Sequence, residues 1–207
     1  MSAQHRTTDA TVFDFPVIPL ASVTDLDRVP TVASGLVGGG LPVIEVALRG
    51  PLGPQALRLF AGRGDLHVGA GTVLDIEQAR RSLDDGATFI VTPGFDANLV
   101  RYVQDAGVPV IPGVLSPSEI LAARAAGLRR VKLFPAGNFG GLALINAYAQ
   151  VFTDISFMPS GGVNESNLAD YLNHPAVFAA SGSWIVNGAN ETEIAATAAA
   201  AVRARSS

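Results

Sequence analysis

One local cycle recurs along the chain: a short apolar run of strand length, a turn of glycine, proline or serine, then a segment with apolar side chains at helical spacing. The apolar runs lie at residues 16–20, 43–48, 66–70, 88–91, 108–111, 130–134, 155–158 and 177–180. They return every ~20 to 26 residues, the cadence of parallel strands joined by crossover helices. Thr24 or Asp25 can cap a helix over residues 26–38, which Gly38-Gly39-Gly40 stops. Further helices are expected over residues 53–61 and 76–83, from near Asp96, after a cap at Ser116 or Ser118, and at the alanine-rich end, 195–201. Eight such units without a change of pattern predict an α/β fold, a (β/α)8 TIM barrel in a single domain over residues 16–207. Residues 1–15 read as an N-terminal arm or short helix. An open, doubly wound sheet is the alternative topology, and it would show a switch in the pattern.

Composition narrows the function classes. A 207-residue chain that is 48% hydrophobic can build one sizeable core. No run approaches the ~18 apolar residues of a membrane span, and the N-terminus has no apolar signal region, so a soluble, cytoplasmic protein without a membrane partner is expected. With Cys 0 there is no disulfide framework or thiolate chemistry. His67 and His174 lack metal-ligand spacing and His5 falls in the arm, so neither a metal nor a cofactor is expected. A net charge of -4 argues against nucleic acid as a partner. The adjacent pairs Arg80-Arg81 and Arg129-Arg130 read as solvated edges.

Of the 14 Lys and Arg residues only Lys132 is lysine, and it sits in an apolar run. An amine can lose its proton when desolvated and attack a carbonyl to form an imine; a guanidinium stays charged. The plain alternative is a strand-end lysine reaching solvent. In a barrel of this kind chemistry sits at the C-terminal ends of the strands, and the unusual residues fall there. Glu45 is the sole charge within residues 43–48, with Arg49 next after that run, so a structural Glu45–Arg49 ion pair is also open. Gly69-Ala70-Gly71-Thr72, Thr92-Pro93-Gly94, Pro112-Gly113, Ser160-Gly161-Gly162 and Ser181-Gly182-Ser183 end other strands. Glycine-rich turns after the seventh and eighth strands suit a phosphate, the former opening onto an expected helix N-terminus.

Taken together, Val131-Lys132-Leu133-Phe134-Pro135-Ala136, Ile44-Glu45-Val46-Ala47-Leu48-Arg49, Gly69-Ala70-Gly71-Thr72-Val73, Val91-Thr92-Pro93-Gly94, Ile111-Pro112-Gly113-Val114 and Pro159-Ser160-Gly161-Gly162-Val163-Asn164 resemble the class I aldolases of the 2-keto-3-deoxy-6-phosphogluconate (KDPG) and hydroxy-oxoglutarate (KHG) family. The resemblance runs from about Val17 to Val186. It implies a homotrimer of (β/α)8 barrels, without cofactor, that cleaves a phosphorylated keto acid to pyruvate and glyceraldehyde 3-phosphate in the Entner-Doudoroff pathway. By motif match Lys132 would form the Schiff base and Glu45 would be the general acid/base. Arg49, Thr72, Pro93 and Phe134 would shape the pyruvoyl pocket, and Gly161, Gly162 and Ser183 would hold the phosphate. Ser181 stands where the family usually has glycine, and Ala47 and Gly50 replace frequent threonines; Arg49 favours the gluconate-type over the galactonate-type substrate. Alternatives are a 4-hydroxy-2-oxoglutarate or phosphogalactonate aldolase on the same site, a sugar-phosphate epimerase or synthase, or a noncatalytic phosphate-binding barrel.

Overall fold

The computed structural model describes residues 11–205; His5 and residues 1–10 of the expected arm lie outside them. Nine strand pieces follow one another: β1 (Val17–Ala21), β2 (Val43–Ala47), β3 (His67–Gly71), β4 (Phe89–Val91), β5 (Val110–Ile111), β6 (Gly113–Val114), β7 (Arg130–Leu133), β8 (Ser156–Pro159) and β9 (Ala180–Gly182). They pair in parallel in the orders β5-β4-β3-β2-β1-β9 and β6-β7-β8. Two seams join these sheets. β5 and β6 are halves of one strand interrupted by Pro112, which has no N–H to give a ladder but accepts the Lys132 N–H at 2.8 Å through its carbonyl. On the other side, single bridges pair Phe157 with Val177 and Ser160 with Ser181. The sheet therefore closes on itself as an approximate eight-stranded barrel, not an open sheet.

The helices are α1 (Val29–Gly38), α2 (Gly53–Ala61), α3 (Ile76–Asp84), α4 (Ala97–Asp105), α5 (Pro117–Ala125), α6 (Gly141–Ala149), α7 (Leu168–Leu172) and α8 (Glu191–Arg203). Asp75, Asp96 and Asn190 cap α3, α4 and α8 with side-chain oxygens on the free N–H groups of the first turn. Ser116, rather than Ser118, caps α5 and forms a reciprocal box with Glu119. Burial opposes ionisation of Glu119, but the N–H groups of Leu115 and Ser116 and the Ser116 hydroxyl hold its carboxyl below the usual range.

Three expectations are corrected here. The segment 26–38 starts as a 3-10 turn, Leu26–Arg28, capped by Asp25, and becomes α-helical only from Val29. Pro30 fits that second start because first-turn N–H groups have no partner within the helix. The last strand is Ala180–Gly182 rather than 177–180: Phe178 gives its N–H to Phe157, and the chain enters register with Val17, Ile18 and Pro19 only from Ala180. The terminal helix begins at Glu191, well before the alanine run, because Asn190 caps it.

All five residues of β2 are buried, as expected of a parallel strand covered on both faces. Val43, Glu45 and Ala47 alternate with Ile44 and Val46, so one set faces the barrel interior and the other the helices. α1 and α8 approach closely over Gly35, where a Cβ would lie 2.6 Å from Ile194 Cβ. That contact welds the first helix to the last.

Candidate active site

Lys132 stands on β7 between Gly113 of β6 and Met158 of β8, with its side chain 6% exposed. Its Nζ lies 3.4 Å from Oε1 of Glu45, whose side chain is fully buried, and 5.1 Å from the centroid of the Phe134 ring. Glu45 comes from β2, in register with Leu20 of β1 and Gly69 of β3. Its other oxygen, Oε2, is 3.5 Å from the Ser181 hydroxyl on β9, which is also fully buried. Space for the carboxylate is cut by Gly71, where a Cβ would stand 2.2 Å from Glu45 Oε1. Three strands distant in sequence thus deliver an amine, a carboxylate and a hydroxyl to one point. Ionised groups this deep persist only as partners, since either one alone would be left an uncompensated buried charge. An amine that can pass its proton to an adjacent carboxylate can become a nucleophile, and that carboxylate can then move protons for it.

The other expected residues lie at or just beyond the C-terminal ends of the strands, and of these Phe134 is the one whose side chain is in contact with Lys132. Thr72 follows Gly71 with a φ of 59°, costly for a β-branched residue and held by its surroundings. The Pro93 carbonyl lies where a Cβ on Gly113 would approach to 2.2 Å, so a glycine there lets the β4 turn press on the strand beside Lys132. The Phe134 ring is shared between Lys132 and Gly161, where a Cβ would lie 3.3 Å from it. Arg49 does not pair with Glu45, so that ion pair is corrected. Its Nε and Nη2 donate to the Ser22 hydroxyl at 3.1 and 2.5 Å. Arg49 and Ser183 share the wall of a cavity of about 290 Å³ with Ser22, Thr24, Arg28 and Asn187.

The turn after β8 differs from expectation. Gly161 and Gly162 take consecutive left-handed conformations, φ 82° and 86°. The carbonyls of Ser160 and Gly161 accept the N–H groups of Ala136 and Gly137 at 2.8 and 2.7 Å, which ties this turn to the end of β7. No helix starts there. The Asn164 and Asn167 side chains bond the intervening backbone, Asn167 Oδ1 taking the Asn164 N–H at 2.9 Å, and α7 begins only at Leu168. Among the described residues no three His, Cys, Asp or Glu side chains gather as metal ligands, and no helix is long and apolar enough to cross a membrane.

Two contacts escaped the sequence reading. Ser22 carried no signal in the sequence pattern, and Ser181 looked like part of a phosphate turn because the last strand was placed three residues early. A strand pattern in which Ser181 alternates with Ala180 and Gly182 would have pointed its hydroxyl inward.

The family model described as KDPG and KHG aldolase matches residues 8–200. A 2-dehydro-3-deoxy-phosphogluconate aldolase of Pseudomonas aeruginosa is 42% identical over 82% of this chain and 78% of its own. A crystal structure of the 2-keto-3-deoxy-6-phosphogluconate aldolase of Zymomonas mobilis with 3-phosphoglycerate superimposes with a TM-score of 0.87 at 34% identity, covering 91% of each chain. A KDPG aldolase from Legionella pneumophila, with pyruvate captured as a covalent carbinolamine, gives a TM-score of 0.86 at 34% identity over 91% of this chain and 95% of that one.

Proposed function

Because the chain belongs to the KDPG and KHG aldolase family, we propose that it is a class I aldolase cleaving 2-keto-3-deoxy-6-phosphogluconate to pyruvate and glyceraldehyde 3-phosphate, with Lys132 and Glu45 as its catalytic pair. The observation that carries this assignment of roles is the buried amine 3.4 Å from a buried carboxylate, the amine belonging to the chain's one lysine. Neutral Lys132 Nζ adds to the C2 ketone; loss of water leaves a protonated imine. Glu45 takes the proton of the C4 hydroxyl, the C3–C4 bond breaks, its electrons move into the imine, and the aldehyde leaves. Protonation of the resulting enamine at C3 and hydrolysis release pyruvate and return the amine.

The surrounding residues fit the two ends of such a substrate. Arg49, Thr72, Pro93 and Phe134 shape the pyruvoyl pocket in this reading, Arg49 supplying the cation for the C1 carboxylate. Gly161, Gly162 and Ser183 hold the phosphate through backbone N–H groups and a hydroxyl. The consecutive left-handed glycines, tied back to β7, support a turn of fixed shape there. A homotrimer of cytoplasmic barrels, each spanning residues 16–207 behind an arm at 1–15, completes the proposal.

Borohydride reduction in the presence of pyruvate tests it. One pyruvate-derived mass should appear on the peptide containing Lys132, with loss of activity. An adduct confined to the N-terminal amine with activity retained would overturn the assignment. So would the absence of any adduct, which a sugar-phosphate epimerase or synthase, or a noncatalytic binding barrel, predicts.

A further inference from the structure

Ser181 is a fully buried hydroxyl on β9 whose one recorded hydrogen-bond partner among the described residues is Oε2 of Glu45, at 3.5 Å. A buried hydroxyl left without an acceptor is costly, and a carboxylate offers acceptor sites only. The Ser181 proton therefore points at Oε2. Lys132 occupies the other oxygen, Oε1, at 3.4 Å. The two donors come from different strands: β9 pairs Ser181 with Ile18 of β1, while β7 carries Lys132 beside Gly113 of β6. Both contacts are long for hydrogen bonds, as they commonly are in catalytic sites before substrate tightens them.

A glutamate side chain has several rotatable bonds, and its end group turns over a broad range unless something holds it. Within this site Gly71 leaves room for the carboxylate without gripping it, so Ser181 supplies the hold on the far oxygen. We propose that Ser181 is a positioning residue for proton transfer: it fixes the Glu45 carboxylate so that Oε1 stays aimed at the amine and at the reacting carbons. This rests on the acid/base role assigned to Glu45 above. It takes Ser181 out of the phosphate turn, where its neighbours Gly182 and Ser183 would otherwise place it. The hydroxyl makes no covalent bond and keeps its proton throughout.

The test is Ser181→Ala, with Ser181→Gly as a second variant, each alone and combined with Glu45→Gln. Three rates are read: pyruvate release from the phosphorylated substrate, release from its dephosphorylated analogue, and deuterium exchange into the methyl group of pyruvate in heavy water. Exchange involves no phosphate or aldehyde, so it isolates proton transfer. Ser181→Ala should lower all three by about tenfold, the order expected for a hydrogen bond to a charged group. KM should change by less than about twofold, and borohydride trapping at Lys132 should proceed unaltered. In the Glu45→Gln background the serine substitution should cost less than about twofold, because a positioning residue has nothing left to position. Equal cost in both backgrounds would overturn the inference, as would a cost confined to the phosphorylated substrate, which would return Ser181 to the phosphate. Full activity of Glu45→Gln itself would remove the acid/base reading, and this inference with it.

Discussion

A single strand, β7, carries two cations on the same face, two residues apart, and the two ends of the barrel treat them in opposite ways. Arg130 lies at the N-terminal end, exposed, with its guanidinium carbon 4.4 Å above the Phe13 ring and 6.0 Å from Phe178, the two rings meeting edge to face at 5.9 Å. Lys132, one pleat further, is buried, 5.1 Å from Phe134 and 3.4 Å from a carboxylate. Each cation sits near an aromatic ring, so the ring does not make the difference. At the floor the partners are apolar and solvent keeps the charge, so the contact contributes only packing and a modest cation-π attraction. At the mouth the amine is buried and its partner is a carboxylate, a group that can accept a proton. The same kind of contact becomes chemistry only where the charge is able to leave.

The sharpest way to break this contrast is Lys132→Arg, which keeps a cation beside Glu45 but removes the ability to lose a proton. Turnover should fall by at least ~1000-fold, with no borohydride adduct; retained turnover would mean that charge alone suffices. Glu45→Gln asks the converse. It leaves the amine without a proton acceptor and should cost ~100-fold in kcat with the fold intact; an unchanged rate would make the buried pair structural.

The phosphate end of the mouth is probed by substrate and by mutation. The unmodified protein should prefer the phosphorylated substrate to its dephosphorylated analogue by ~100-fold in kcat/KM, about 2.7 kcal/mol. Gly162→Asp should erase most of that preference while leaving trapping at Lys132 largely intact. Comparable rates on both substrates would point to a hydroxy-oxoglutarate-type aldolase.

At the floor the effects are smaller. Arg130→Ala should lower unfolding stability by ~0.5–1 kcal/mol in urea, the size of an exposed cation-π contact, with kcat within about twofold of the parent. A large loss of activity would dissolve the distinction between the ends. The smallest effect is in pH. Burial lowers the His67 imidazole below its ordinary 6.5, with the Asp14 carboxylate opposing it. The unfolded chain then binds this proton more readily than the folded one, so the contribution is full above 6.5 and is lost as pH falls below it. Melting temperatures followed from about pH 8 to about pH 5 should decline less in His67→Gln than in the parent.

Much of the barrel was legible because its signals are local. Asp96 and Ser116 announce helix starts through their own side chains, and the apolar runs have the length and spacing of parallel strands. Lys132 was legible by contrast with thirteen arginines, and Glu45 as a charge where none belongs. What the sequence hid depends on closure. Pro112 divides a strand without changing its apolar pattern, and Asn164 and Asn167 hold the residues before Leu168 out of a helix by bonds visible only in three dimensions. Ser181 was misplaced because Val177 and Phe178 are as apolar as a strand, yet they serve the bridge to Phe157 while register with β1 begins at Ala180. That three-residue slip concealed which way the hydroxyl points.

The weld between α1 and α8, together with the pairing of β1 and β9, has a consequence in time. Val17 meets Ala180 across nearly the whole chain, and contacts of such long sequence separation are slow to form because the loop must be closed before they reward it. On the ribosome, β2 and β7 emerge well before β9. A nascent chain therefore carries its lysine and its glutamate before it owns the strand that seals the wall beside them, and a keto acid meets the completed site only after the final segment has docked. Regain of turnover after dilution from denaturant consequently counts sealed barrels, whereas secondary-structure signals also count those still open along the seam between first strand and last.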